Sequence, residues 1–275
     1  MDFIQLSETA IRAALAAGKI IRSHLDKDIQ VEKKDGGAGL ASQVVTEVDH
    51  ACEAVILDHL RPTCEMYDLA LLSEEREDDG GRFEKDYFWC VDPMDGTLAF
   101  IRKQPGFSVS IALIDKGGTP CLGVVYDPST EALYHAVKGK GAFRDHQAWE
   151  LNPSHDYLTY VTDRKLKDTP RATEIEDLLA KEVKRLGLKG WVEKSGGGSV
   201  LNAIHVLEQG PACLLKFPKM EEGGGSIWDF AATACIYQEL GMPATNFAGG
   251  RLDLNRRDSS FMNHEGVLYA NFPNL

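Results

Sequence analysis

No stretch of the chain approaches the ~20 consecutive apolar residues that span a bilayer. The opening Met1-Asp2-Phe3-Ile4-Gln5-Leu6-Ser7-Glu8 has no basic patch followed by an apolar core, so neither a signal peptide nor a membrane partner is expected. The six cysteines (Cys52, Cys64, Cys90, Cys121, Cys213 and Cys235) contain no C-x-x-C pair, which argues against a zinc ribbon or a redox motif. Most of them sit inside apolar runs, the setting of free buried thiols in a reducing compartment, and a cytoplasmic location is the expectation. The eight histidines lack H-x-x-H and H-x₃-H spacing, which makes zinc a poor fit. Basic residues are in deficit: 30 Lys and Arg face 42 Asp and Glu, a net charge of −12, and a broad basic face for a nucleic-acid polymer is disfavoured. An acidic protein still binds phosphate esters when bound cations reverse the local sign.

What is present is an ordinary globular composition, 43% hydrophobic and 26% charged over 275 residues, enough for one large domain or two small ones. Ile4, Ile11, Leu15, Ile20, Ile21 and Leu25 recur at helical spacing and predict a helix over 3–25, with Ser7 and Glu8 near its start. Residues 31–43, glycine-rich and polar, predict a mobile loop that carries Lys33 and Lys34 and closes over the substrate. A second helix is expected from about Thr46 to Leu60, ending before Pro62. Residues 66–72 read as a strand that delivers Ser73-Glu74-Glu75, and Tyr87-Phe88-Trp89-Cys90-Val91 as a buried strand. Residues 107–114, 121–126 and 131–137 read as an antiparallel meander with turns at Gly117-Gly118 and Asp127-Pro128. In the second half, strands are expected at 157–162 and 211–217. Helices are expected at 173–186, at 200–208 and from Trp228-Asp229 to about Leu240. Elements are grouped rather than strictly alternating, which favours a layered α+β fold over a doubly wound sheet.

The chemistry concentrates in Asp92-Pro93-Met94-Asp95-Gly96-Thr97, where a buried strand ends in two carboxylates. Pro93 fixes φ in the turn and Gly96 permits close backbone approach. The N–H groups of Gly96 and Thr97 at the start of the next helix suit an anion. Carboxylates beside an anion cradle repel phosphate unless divalent cations lie between them, and hard oxygen ligands at such a turn suit Mg²⁺. Haloacid-dehalogenase-type phosphatases also use an aspartate and a D-G-T, but their nucleophile lies two residues before the second Asp. Pro93 stands there, so a covalent aspartyl-phosphate is not expected. Taken alone, Glu74-Glu75 reads equally as a solvated acidic edge, Asp229 as a helix N-cap, and Thr46-x-x-Asp49 as a capping box.

Taken together, LSEE, DPMDGT and IWDFAA in that order, with VTEVD upstream, resemble the inositol monophosphatase superfamily of lithium-sensitive, Mg²⁺-dependent phosphatases, over about residues 44–270. The resemblance implies a layered α/β/α/β/α sandwich of the inositol monophosphatase and fructose-1,6-bisphosphatase type. It implies an N-terminal half (1–150) with most of the metal ligands and a C-terminal half (151–275) with the last one, in one structural unit that forms a homodimer. Glu74, Asp92, Asp95, Asp229 and the Met94 carbonyl would hold roughly two or three Mg²⁺ ions. Asp49 and Thr97, with Glu74, would orient or deprotonate the attacking water. Asp95, Gly96, Thr97, Gly198, Ser199 and Asp229 would contact a small-molecule phosphate ester.

FIRKQPGFSVSIAL, GTPCLGVVYDPSTEALYHAVKGKGAF, KFPK and FMNHEGVLYA are most similar to the bacterial 3′(2′),5′-bisphosphate nucleotidases, which implies adenosine 3′,5′-bisphosphate as substrate. An inositol or related sugar phosphate is the alternative, and a non-catalytic ligand-binding relative a remote one. Ala99 and Ala203 depart from the nucleotidase pattern, where an acidic residue and a lysine are usual. Lys216, Lys219, Arg256 and Arg257 are candidate partners for a second phosphate.

Overall fold

The computed structural model describes residues 1–27, 31–33, 44–151 and 155–273. Helix α1 (Phe3–His24) starts where the Asp2 carboxylate accepts the N–H groups of Ile4 and Gln5, five residues ahead of Ser7. Strands β1 (Val31–Lys33) and β2 (Val44–Thr46) pair antiparallel, so the first part of the expected 31–43 loop is a strand. Residues 34–43, with Lys34 and the expected closure over substrate, lie outside the described residues.

Helix α2 (Glu47–Tyr67) opens with a capping box. Thr46 Oγ1 accepts the Val48 N–H, and the Asp49 carboxylate accepts the Thr46 N–H at 2.7 Å. The helix does not end before Pro62 but runs through it. Pro62 is exposed there, and tertiary contacts hold the next turn. Thr63 donates to the Leu60 carbonyl while accepting the Trp89 indole N–H at 2.9 Å. Met66 and Tyr67 therefore close a helix, and β3 begins only at Ala70.

Strands β3 (Ala70–Ser73), β4 (Tyr87–Asp95), β5 (Ser108–Asp115), β6 (Pro120–Asp127), β7 (Ala132–Val137), β8 (Gly141–Arg144) and β9 (Gln147–Ala148) form one sheet in chain order. Only the β3–β4 pair is parallel; the rest is the expected meander, extended by β8 and β9. A short helix, α3 (Thr97–Ile101), follows β4. The second half runs β10 (Tyr157–Thr162), α4 (Ala172–Leu186), β11 (Gly190–Ser195), α5 (Ser199–Glu208), β12 (Ala212–Lys216), α6 (Ile227–Glu239), β13 (Ala244–Thr245) and β14 (Val267–Ala270). Its sheet has the order β11-β10-β12-β14-β13, with β10 parallel to both β11 and β12. Grouping thus describes the first half, whereas β10 to β12 alternate with helices.

Period-two alternation sorts the strand residues into layers. Trp89 and Val91 of β4 face the cluster made with α1 and α2, while Phe88 and Cys90 face α5 and α6. In the second sheet, Val161 and Leu214 also face α5 and α6, while Leu158, Tyr160, Cys213 and Leu215 face Ile175 and Leu179 of α4. The result is the α/β/α/β/α sandwich, with α5 and α6 as the shared middle layer. The six cysteines are free thiols, five of them buried. Among the described residues no helix is long and apolar enough to cross a membrane.

The middle layer is tight at Gly123 on β6. A Cβ there would lie 2.8 Å from Ala232 Cα on α6 and closer still to the Ala232 carbonyl oxygen, both backbone atoms. Gly123→Ala is expected to lower stability by about 1–3 kcal/mol, read as a lower midpoint in urea unfolding without a change in slope.

Candidate active site

The acidic residues meet because β3 and β4 end together. Ser73 is in register with Val91, and the Glu74 N–H donates to the Val91 carbonyl at 3.1 Å, so Glu74 leaves β3 level with Asp92 on β4. Beyond Asp92 the β4–β5 ladder is interrupted until Asp95, which turns the chain at Pro93. Asp92 Oδ1 accepts the Met94 N–H at 3.0 Å and tightens that turn. Gly96 follows with φ +87°, and a Cβ on it would run into the Gly106 carbonyl, so only glycine fits.

From the other half, α6 brings Asp229. The α6 cap is a capping box in which Asp229 Oδ2 accepts the Ser226 N–H at 2.6 Å. Ser110, opposite Asp92 on β5, donates to the Trp228 carbonyl at 3.0 Å and ties this helix start to the first sheet. One oxygen each of Asp92, Asp95 and Asp229 lie within 4.8 Å of one another. Glu74 stands outside that set of three, but its negative charge helps raise the pKa of Asp49, Asp95 and Asp229.

Asp95 also joins the two halves. Its carboxylate accepts the N–H groups of Ser199 (3.2 Å) and Val200 (2.8 Å) at the start of α5. The Gly198 N–H donates to the Gly106 carbonyl at 2.7 Å. The backbone donors of Gly198 and Ser199 thus hold Gly106 and Asp95. On the opposite wall, Thr97 Oγ1 lies 3.1 Å from Asp49 Oδ1 and 3.2 Å from the Met94 carbonyl. Asp49 Oδ2 accepts from both N–H and hydroxyl of Thr46.

Burial pushes the Asp95 carboxyl well above the usual carboxylate range, with the Asp229 charge adding to it. Burial followed by the Glu74 charge raises Asp229 to about 6. Asp49 is raised by burial, partly offset by its Thr46 hydrogen bonds. Lys216, at the end of β12, is the cation that favours the charged forms of Asp95 and Asp229; its Nζ lies 3.2 Å from Asp163 Oδ2. Arg256 is held instead by Asp258 and His264, and Arg257 lies over the Phe83 ring. Ala203 is fully buried in the middle layer. Ser110, which bonds the Trp228 carbonyl, and Glu53, which bonds Ser73 and Arg76 on either side of Glu74, were not among the expected site residues. Glu53 follows Asp49 by four positions, and the shared helix face is the signal that marks it.

Three oxygens this close, all hard donors and two of them on buried residues, match the donor set of a hard divalent cation. Fold and site are those of a phosphatase. The chain belongs to the inositol monophosphatase family, whose model matches residues 3–272. Inositol monophosphatase 2 of Solanum lycopersicum is 32% identical over 255 residues, 91% of this chain and 90% of that protein. Nus factor SuhB of Salmonella typhimurium is 31% identical over 247 residues, 88% and 85% of the two chains. The crystal structure of extragenic suppressor protein suhB from Bartonella henselae shares the fold, with a TM-score of 0.73 at 23% identity over 97% of this chain and 94% of that one.

The raised carboxyls set a pH dependence. In this window the folded chain binds protons more tightly than the unfolded one, so their contribution to stability is full below the unfolded carboxylate pKa. It is lost as the pH rises through the folded values, about 6 for Asp229. In divalent-free buffer, Asp229→Asn is expected to raise the melting temperature at neutral pH and to flatten its dependence on pH below that value, followed by differential scanning calorimetry.

Proposed function

We propose that this chain is a Mg²⁺-dependent phosphomonoesterase in which water attacks the phosphate directly and in line. The observation that carries the reading is the Asp92, Asp95 and Asp229 set within 4.8 Å, beside the Thr97–Asp49 pair. Glu74, Asp92, Asp95, Asp229 and the Met94 carbonyl are the residues assigned to hold the ions. Bound Mg²⁺ supplies Lewis acidity toward the ester phosphate and lowers the pKa of water. Thr97 Oγ1 accepts the proton of the attacking water as it passes its own to Asp49. Burial raises the Asp49 carboxyl, which makes it a better proton acceptor than an exposed carboxylate. Pro93, where a covalent mechanism would need a carboxylate, supports direct attack. Gly96 and Thr97 at the start of α3 face the phosphate, with Gly198 and Ser199 on the far side.

The preferred substrate in this reading is a nucleoside 3′,5′-bisphosphate, with Lys216 meeting the second phosphate. Lys216 lies where β10 and β12, parallel neighbours, end. The chain leaves β10 for β11 on one side and returns to β12 on the other, the crossover point at which open α/β sheets take ligands. Inositol 1-phosphate is the second reading, supported by the name of the Solanum relative. Lithium inhibition, a homodimer and a cytoplasmic location belong to the same proposal, the last supported by the free thiols.

Glu74→Gln and Asp92→Asn are each expected to reduce Mg²⁺-dependent turnover by at least ~100-fold while leaving the circular-dichroism spectrum unchanged. Near-normal turnover in either variant would remove these residues from the ligand set. A turnover panel of adenosine 3′,5′-bisphosphate against inositol 1-phosphate tests the substrate. Lys216→Ala is expected to raise KM for the bisphosphate about tenfold, the worth of one charge-assisted hydrogen bond, and to raise KM for the inositol ester by less, since it also removes the cation near Asp95 and Asp229 from both reactions. A strong wild-type preference for the inositol ester would overturn the nucleotide reading. Absence of Mg²⁺-dependent hydrolysis across phosphomonoesters would favour a non-catalytic ligand-binding relative.

A further inference from the structure

We propose that Glu53 is a positioning residue that sets the location of Glu74 and, through it, the affinity of the acidic site for a divalent cation; this rests on the assignment of Glu74 as a metal ligand. Glu53 sits on α2 one helical turn after Asp49, so both carboxylates project from the same face. Asp49 reaches Thr97, and Glu53 reaches the turn that follows β3. The Ser73 hydroxyl donates to Glu53 Oε1 at 2.7 Å, and Arg76 Nε lies 3.2 Å from Glu53 Oε2. Ser73 and Arg76 are the first and last residues of a turn closed by the Arg76 N–H on the Ser73 carbonyl at 3.3 Å. Glu74 and Glu75 are its two central residues. One carboxylate therefore grips both ends of the turn that presents Glu74, while β4 holds the Glu74 N–H.

The choice of residue type is informative. Glu53 is 6% exposed, and burying a carboxylate is costly unless it is paired and hydrogen-bonded. A neutral acceptor would cap Ser73 without adding a negative charge one turn from Asp49. A carboxylate with two oxygens is needed to hold a hydroxyl and a guanidinium at once, and that double grip fixes the turn at two points. A ligand held this way loses little freedom when an ion binds, which is the usual route by which groups behind a metal ligand raise affinity.

The test is Mg²⁺ titration by isothermal calorimetry on the full-length protein stripped of divalent ions. Glu53→Ala is expected to weaken Mg²⁺ about 10- to 100-fold and to raise the Mg²⁺ concentration for half-maximal turnover in parallel, with kcat at saturating Mg²⁺ near wild type. In a Glu74→Gln background the same substitution is expected to change Mg²⁺ affinity by less than ~2-fold, because the effect passes through Glu74. A residue that only supports the fold would cost the same in both backgrounds, and that result would overturn the proposal. So would unaltered Mg²⁺ affinity in Glu53→Ala. If Glu53→Ala does not fold, the Ser73→Ala/Arg76→Ala double variant removes the same two contacts from the turn side and must reproduce the loss. Wild-type protein that binds no Mg²⁺ would instead bring down the metal assignment itself, and the role of Glu53 with it.

Discussion

Mutual repulsion among acidic groups brought together at the ends of β3, β4 and the start of α6 is the constraint around which the molecule is arranged. Asp92, Asp95 and Asp229 present oxygens within 4.8 Å of one another, and burial, with the neighbouring negative charges, disfavours the charged forms of Asp95 and Asp229. Such a cluster persists only if other parts of the fold hold it. The holders are visible: the Met94 N–H on Asp92, the Ser199 and Val200 N–H groups on Asp95, and the Ser226 N–H on Asp229. Each is a backbone donor at a turn or helix start, so the charges are held by dipoles that cannot swing away.

The same contacts join the two sheets. Asp95 ends a strand of the first sheet and caps α5, which packs against the second. Ser110, in the first sheet, bonds the Trp228 carbonyl at the start of α6. Gly106 meets Gly197 so closely that a Cβ on Gly106 would lie 2.5 Å from Gly197 Cα, and a Cβ on Gly198 would run into the Asp95 carboxylate. The site is therefore also a seam, and the acidic cluster and the docking of the halves draw on one set of groups. The rear wall is α2, whose Asp49 and Glu53 reach Thr97 and the Ser73–Arg76 turn from one face.

Much of this was legible along the chain. The meander from Phe107 to Val137, the strand at 157–162 and the helices near 173–186 and 200–208 were all readable, because each carries a strong period of its own. The misreadings share a cause. Pro62 lies inside α2 because Thr63 and Trp89 hold the following turn, a contact between residues 26 positions apart. Strand β11 is a half-exposed edge with charged residues, and β14 has only four residues, so neither carries a pattern that local reading detects. Arg256 and Arg257, candidate partners for a second phosphate, have neighbours that local reading could not supply: Asp258 and His264 for Arg256 and the Phe83 ring for Arg257.

Residue type and spacing determined by themselves that two carboxylates lie at the end of a buried strand, that Pro93 stands where a haloacid-dehalogenase-type nucleophile would be, and that Gly96 marks a close approach. These are local matters, decided by the chemistry of neighbouring residues. That Asp229, more than 130 positions after Asp95, joins the same cluster was implied only by the family resemblance; the tertiary structure decided how it arrives there, that Asp95 caps a helix of the other half, and that Glu53 stands behind Glu74. Those relations depend on strand register and on which helix face meets which sheet, and many segments with the same local pattern could have met differently.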